Sequence, residues 1–298
     1  MHGQPLHRFS TLLTDNRDLD LPRYHPRLLE MAGVDGDKLP TLVAVNSRIG
    51  TLRGEVAAEL GLPATAAVFS GTNDTQAASV AAGSFRPGPG GVNIGSTAQI
   101  LASMPGKRTD LQKGLFTMPS PIRGRRLVLA ENGLAGKSLE HFIRNVVFAR
   151  DALADHSAED PFGRIEQALG TSPAGSGGLL FLPWLTGTES PATNDRVRGA
   201  FLNISLETGR EQMLRAILEG VAFILRWLRE AVESFTDQTL RPLRFCGGGA
   251  RSDGWAQILA GRHGTTGAPA RERPLCRLPN RRLPRFRTPG NGRARRRG

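Results

Sequence analysis

The stretch Thr208–Phe235 constrains this chain more than any other. Leu214, Ile217, Leu218, Val221, Leu225, Leu228, Val232 and Phe235 recur every three or four residues, which gives a long helix one apolar stripe. A helix striped on one side must lay that side against another layer. Gly220, in its middle, lowers helix propensity by roughly 1 kcal/mol against Ala. A close contact with a neighbouring element would offset that.

The sequence around this helix supplies the other layer. Gly91–Met104 (GVNIGSTAQILASM) reads as two strands around Gly95-Ser96-Thr97, with further strands near RRLVLAEN, GGLLFLPW and PLRFC. ATAAVFSG reads as a buried strand before the small-residue helix DTQAASVAAG. AGKSLEHFIRNVV and FGRIEQALG read as helices. HPRLLEMAG and RGEVAAELGLP are short helices stopped by Gly33 and by Gly61 with Pro63. Strands and helices mixed in this order predict an α/β protein.

Charge separates the body from a tail. The chain of 298 residues carries a formal +12, yet residues 261–298 hold 12 arginines and one acid, Glu272. The remaining 27 basic and 26 acidic groups leave residues 1–260 at +1, so the body has no broad cationic face. The tail is poor in apolar residues and rich in Arg, Gly and Pro, a composition that predicts disorder. Two cysteines, Cys246 and Cys276, are too few for a disulfide framework, and no Cys/His cluster has zinc spacing. No stretch approaches the roughly 20 apolar residues that span a bilayer, and the start lacks a secretion signal. The expected setting is cytoplasmic.

Three places carry candidate chemistry. In FSGTNDTQAAS, Asp74 stands at the mouth of a turn after a strand, where it can face a ligand or cap the following helix; the two roles are compatible. In VNIGSTAQI, Gly95, Ser96 and Thr97 offer N–H groups and hydroxyls to phosphate oxygens, or simply make a hairpin turn. In FCGGGARSDGW, Gly247, Gly248 and Gly249 let a ligand approach the backbone, with a helix N-terminus behind them that favours phosphate; a purely structural turn is the alternative. Two motifs fall away. The glycine run does not fit a dinucleotide fingerprint because Ser252 holds its third glycine position. ENGLAGKS ends like a phosphate loop, but Glu131 stands where its first glycine belongs, so Lys137 and Ser138 open an ordinary helix.

Taken together, GTNDTQAASVAAG, GVNIGSTAQI, GGLLFLPWLTGTESP, RGAFLNISLETGREQMLRAILEGVAF and CGGGARSDGWAQILA resemble the FGGY carbohydrate kinases, nearest the xylulokinase-like branch. The five blocks stand in the family's order. A C-terminal signature can be followed from Gly199 through Phe201 and Ile204 to Gln212, Met213, Ala216, Ile217, Leu218 and Glu219. Asn203 departs from it, standing where the family usually has Gly. The resemblance covers roughly residues 8–260.

The resemblance implies an actin-like, ribonuclease-H-like fold of two domains closing over a cleft that holds ATP and a sugar or polyol. Asp74 would be the general base that takes the proton from the acceptor hydroxyl as it attacks the γ-phosphoryl of ATP, which is used with Mg2+. Gly95, Ser96 and Thr97 would touch the phosphates. Gly247, Gly248 and Gly249, followed by Ala250, Arg251 and Ser252, would lie beside the nucleotide. Trp184, Thr188 and Glu189 would rim the cleft.

Two departures shape the expected organisation. Family members begin with a strand hairpin carrying an Asp-x-Gly-Thr/Ser-like motif, and nothing of that kind precedes Ser10. Residues 1–85 are therefore expected to be the end of the first, sugar-binding domain, and 86–260 a truncated second, nucleotide-binding domain. Strands without their partners would then expose edges and apolar faces, and activity would be impaired. After WAQILA the family continues with text like Asp-Val-x-Gly-Arg-Pro-Val, where this chain reads GRHGTTGA. A one-base shift in the back-translated codons restores such a series, so residues 261–298 are expected to be a frameshift product, which the coding DNA tests. The rival reading is a non-catalytic protein whose basic tail binds nucleic acid or another polyanion; the neutral body argues against it, and nucleic acid is not the expected partner.

Overall fold

The computed structural model describes residues 6–8, 13–15, 23–43, 47–120, 122, 124–149 and 161–262. The architecture is α/β, centred on a six-stranded mixed sheet. In chain order its strands are β5 (Gly90–Ile94), β6 (Thr97–Met104), β7 (Thr109–Asp110), β8 (Leu115–Pro119), β9 (Arg126–Leu134) and β12 (Leu243–Cys246). They lie in the order β12-β5-β6-β9-β8-β7, with β12 parallel to β5 and every other pair antiparallel. Before this sheet come β1 (Leu6–Arg8), α1 (Pro26–Ala32), β2 (Thr41–Val43), β3 (Arg48–Thr51), α2 (Gly54–Leu60), β4 (Ala67–Phe69) and α3 (Asp74–Ala81). The remaining elements are α4 (Gly136–Phe142), continued by a π turn over Ile143–Val147, then α5 (Pro161–Thr171), β10 (Leu180–Leu182), β11 (Ala200–Leu202), α6 (Arg210–Thr236) and α7 (Asp253–Arg262).

The long helix packs as its periodicity requires. All eight stripe residues of α6 are buried, and they share one core with Val92, Ile94, Ala98, Ile100, Val128 and Ala130 from the sheet. Alternation along each strand sends the next residues to the other face, where Leu101, Met118 and Leu127 pack with Ala78 of α3. The sheet is therefore covered by α6 on one face and crossed by α3 on the other. Helix stops behave as expected: Gly33 and Gly61 cap α1 and α2 at φ 61° and 64°, a left-handed conformation that suits glycine.

Glu219 anchors a second polar centre on α6. It is 4% exposed, pairs with Arg215 at 2.9 Å, and accepts from the Gly175 N–H and the Ser176 hydroxyl. Arg215 also donates to the carbonyls of Leu169 and Ser172. The end of α5 and the loop after it are thereby tied to α6.

One strand differs from its sequence reading. ATAAVFSG was expected to be buried, but β4 pairs only with β3 in a two-stranded antiparallel sheet, and Phe69 is 57% exposed. Two strands without a covering layer cannot shield their side chains. Met31 and Leu62 in the same part of the chain are also exposed. The tail expected to be disordered lies, from residue 263 on, outside the described residues; α7 continues to Arg262.

Candidate active site

Parallel pairing of β5 and β12 brings two distant turns together. Cys246 stands opposite Asn93, so Gly95-Ser96-Thr97 and Gly247–Ser252 leave the carboxyl ends of neighbouring strands. That is where open α/β sheets hold ligands. Gly247 adopts φ 84°, and a β-carbon there would collide with the Ile94 carbonyl and the Asn93 side-chain amide. A β-carbon on Gly249 would meet Ile94 Cγ2 at 2.9 Å. These two glycines are needed for strand-to-turn packing, whereas Gly248 and Gly95 face open space. Gly248, Gly249, Ala250 and Arg251 form a single 3-10 turn.

The first turn is fastened to α4. Ala135 and Lys137 donate backbone N–H groups to Ser96 O, and Gly136 donates to Gly95 O at 3.1 Å. Gly95 and Ser96 remain exposed at the tip. Beside this junction opens a cavity of about 520 Å3 with Lys137, His141 and Arg144 in its wall. Lys137 and Ser138 belong to α4, as the sequence indicated.

Two expectations about helix ends need correction. The cap of α3 is Asn73: its side chain accepts from Gln76 N, and the Asn73 N–H donates in return to Gln76 Oε1. Asp74 is the first helical residue, exposed, with Oδ1 accepting from Thr75 N. The N-terminus of α7 was expected to favour phosphate, but protein groups already occupy it. Gly254 N donates to the Glu166 carboxylate at 3.0 Å and Trp255 N donates to the Ser252 hydroxyl. Ser252 thus serves as a cap.

Asp74 borders the same sheet face as the turns without touching them. Gln76 donates to Pro119 O, and Ala82 abuts Gly91, so α3 runs obliquely across the face opposite α6. Pro119 is level with Met104, at the far end of β6 from Thr97. Among the described residues no bond joins Asp74 to either turn.

Between α3 and the first turn lies a polar row that sequence reasoning missed. Asn93, Gln99 and Glu131 are direct cross-strand neighbours on β5, β6 and β9. Asn93 Nδ2 donates to Gln99 Oε1 at 2.8 Å, and Gln99 Nε2 donates to Glu131 Oε2 at 3.0 Å. The available signal was a polar residue between apolar ones in each strand, as in Val92-Asn93-Ile94 and Ala98-Gln99-Ile100. Glu189 stands beside Glu131: the Ser190 N–H donates to Glu131 O, and burial followed by the Glu131 charge raises the Glu189 carboxyl above its ordinary range. Thr188, expected at the rim, is buried and accepts from Asn132, which also holds the Ser190 carbonyl. Trp184 is half-buried.

Among the described residues no group of three His, Cys, Asp or Glu side chains is clustered to hold a metal. No described helix is long and apolar enough to cross a membrane.

The mixed sheet with two turns at the carboxyl ends of neighbouring strands defines an α/β fold, and comparison names its family. Residues 95–271 match the model of the FGGY family of carbohydrate kinases, C-terminal domain. This chain belongs to that family. It is 27% identical over 230 residues to a xylulose kinase of Bacillus subtilis (76% of this chain, 44% of the relative), and 26% identical over 234 residues to a gluconokinase of the same bacterium (78% and 45%). A crystal structure of a xylulose kinase from Brucella ovis superposes with a TM-score of 0.67 at 27% identity, covering 80% of this chain and 46% of that one. The chain spans about half the length of the curated relatives it matches.

Proposed function

We propose that this chain takes part in ATP-dependent phosphorylation of a sugar or polyol hydroxyl. The observation that carries the reading is the adjacency of the Gly95–Thr97 and Gly247–Arg251 turns at the ends of parallel strands. In this reading the exposed tip of the first turn, with its Ser96 and Thr97 hydroxyls, receives phosphate oxygens. The glycine turn bounds the nucleotide on the other side. Catalysis by such a site is mostly positioning and charge stabilisation.

Asp74 is the acceptor's base. Asn73 and Gln76 close the capping box, Asp74 accepts from the adjacent Thr75 N–H, and the rest of its carboxylate is exposed. It would take the hydroxyl proton as the P–O bond forms, a role contributing about 10²- to 10⁴-fold. In-line transfer brings the acceptor oxygen to about 3–3.5 Å from phosphorus; the start of α3 lies by Pro119, at the far end of β6 from Thr97, so this role for Asp74 requires a movement that brings its carboxylate to the turns. The Mg2+ expected with ATP would arrive on its phosphates. Organisation into a first-domain remnant over 1–85 and a nucleotide-binding unit over 86–260 belongs to the same proposal.

The test is nucleotide binding followed by turnover. Mg-ATP should raise the melting temperature of the full chain, and Gly95→Val should remove that shift. In a coupled ADP-release assay with ketoses and polyols, Asp74→Asn should lower any turnover at least about 100-fold while nucleotide binding persists. A chain that is folded and indifferent to Mg-ATP would overturn the reading.

A further inference from the structure

Resting on the kinase reading, we infer that Lys137 is a binding residue for the phosphates of the nucleotide, held by Glu140 until they arrive. The lysine belongs to ENGLAGKS, the stretch whose glycine spacing rules out a phosphate loop. Its place in the fold gives it a phosphate to meet by another route.

Backbone bonds fix Lys137 beside the first turn. Gly136 N donates to Gly95 O at 3.1 Å and Lys137 N to Ser96 O at 3.3 Å, while Leu134 stands opposite Thr97 in the register of β6 with β9. A β-carbon on Gly136 would collide with the Gly95 carbonyl, so the contact has no slack. Lys137 and Leu134 also line the cavity of about 520 Å3 that opens at this junction, with Leu185, His141 and Arg144. A nucleotide with its phosphates on the exposed tip of the turn and its remainder in the cavity lies alongside Lys137.

Chemistry supplies the rest. The N–H groups of Ala135, Gly136 and Lys137 are taken up by the Gly95 and Ser96 carbonyls, so an anion at this junction must find its charge partner among side chains. Lysine in the first turn of a helix faces the positive end of the dipole, and Lys137 ahead of Glu140 is the less favourable order for a helical pair. Local helix chemistry therefore does not account for the residue. Its present hold is slight: Lys137 Nζ stands 3.7 Å from Glu140 Oε2, and its side chain is 59% exposed. Arg144 meets the other oxygen of Glu140 at 2.8 Å, so Glu140 keeps a charge partner when Lys137 leaves. A phosphate oxygen offers the ammonium a charge-assisted hydrogen bond in place of that loose contact, and the flexible four-carbon stem lets it follow.

Calorimetric titration of the full chain with Mg-ATP at low and high salt tests this. Lys137→Gln should weaken binding about tenfold at low salt. It should also flatten the salt dependence, because a charge contact that is gone cannot be screened. Lys137→Arg should keep most of the affinity. Glu140→Gln, which frees the lysine, should tighten binding, and adding Lys137→Gln to it should remove that gain. The melting temperature of each unliganded variant checks the fold. Lys137→Gln binding within about twofold of wild type at low salt, or a loss equal at both salt levels, overturns the inference while Mg-ATP binding still supports the kinase. Should Lys137→Gln fail to fold, Glu140→Gln decides alone, and binding no tighter than wild type overturns the inference. A wild-type chain that melts cooperatively and does not bind Mg-ATP overturns both readings.

Discussion

Gly220 sits midway along α6 where a β-carbon would run into the carbonyl of Phe181. Helix and strand β10 approach there so closely that no β-carbon fits. The glycine that weakens the isolated helix is what lets the folded protein close.

Gly220→Ala should therefore destabilise, although alanine is the better helix former by roughly 1 kcal/mol. Overpacking typically costs about 1–3 kcal/mol and should prevail. Urea denaturation would show a lower midpoint with little change in slope; a higher midpoint would mean that β10 yields freely.

Asn203 occupies the glycine position of the family signature with φ 65°, and its amide donates to the Gly178 carbonyl at 3.2 Å. Asparagine tolerates this left-handed region better than most residues. Asn203→Gly should be nearly neutral, while Asn203→Val should lower stability by about 1–2 kcal/mol, measured by thermal melting.

Glu219 is buried with three donors directed at it. Glu219→Ala would leave Arg215, itself largely buried, without its charge partner, and stability should fall by about 3–5 kcal/mol. Limited proteolysis should then cut first in the loop near Gly175, which loses its anchor.

Glu189 gives a pH signature. Its folded value is raised above the ordinary 4.5 by burial and by Glu131. Its favourable contribution is thus complete below the ordinary value and lost as pH rises through the raised one. Glu189→Gln removes that loss, so the variant should gain melting temperature relative to wild type as pH rises above the ordinary carboxyl value. Solvent screening at this exposed side chain keeps the gain small.

Phe69, Met31 and Leu62 are exposed near the start of the described chain. Phe69→Ser should raise the soluble yield and reduce light scattering on concentration, because exposed apolar groups beside short strands promote association. An unchanged yield would mean that this surface does not drive association.

What could be read locally was read well. The α6 stripe appears in the core residue for residue, and Gly33 and Gly61 end helices because left-handed caps are local chemistry. The Gly-Ser-Thr and triple-glycine turns could be singled out for the same reason. Their adjacency depends on β12 pairing with β5, separated from it by nearly 150 residues, and no local pattern specifies such a pairing. The exposure of Phe69 likewise follows from which layers surround β4. At Asp74, composition named the right helix start but the capping box chose Asn73, a decision made by side-chain geometry over one turn. The row Asn93–Gln99–Glu131 exists only when three strands are in register. Sequence by itself determined periodicity, caps and turns, which depend on neighbours along the chain. Tertiary structure alone decided which turns and carboxylates share a face, because strand pairing joins residues that the chain keeps far apart.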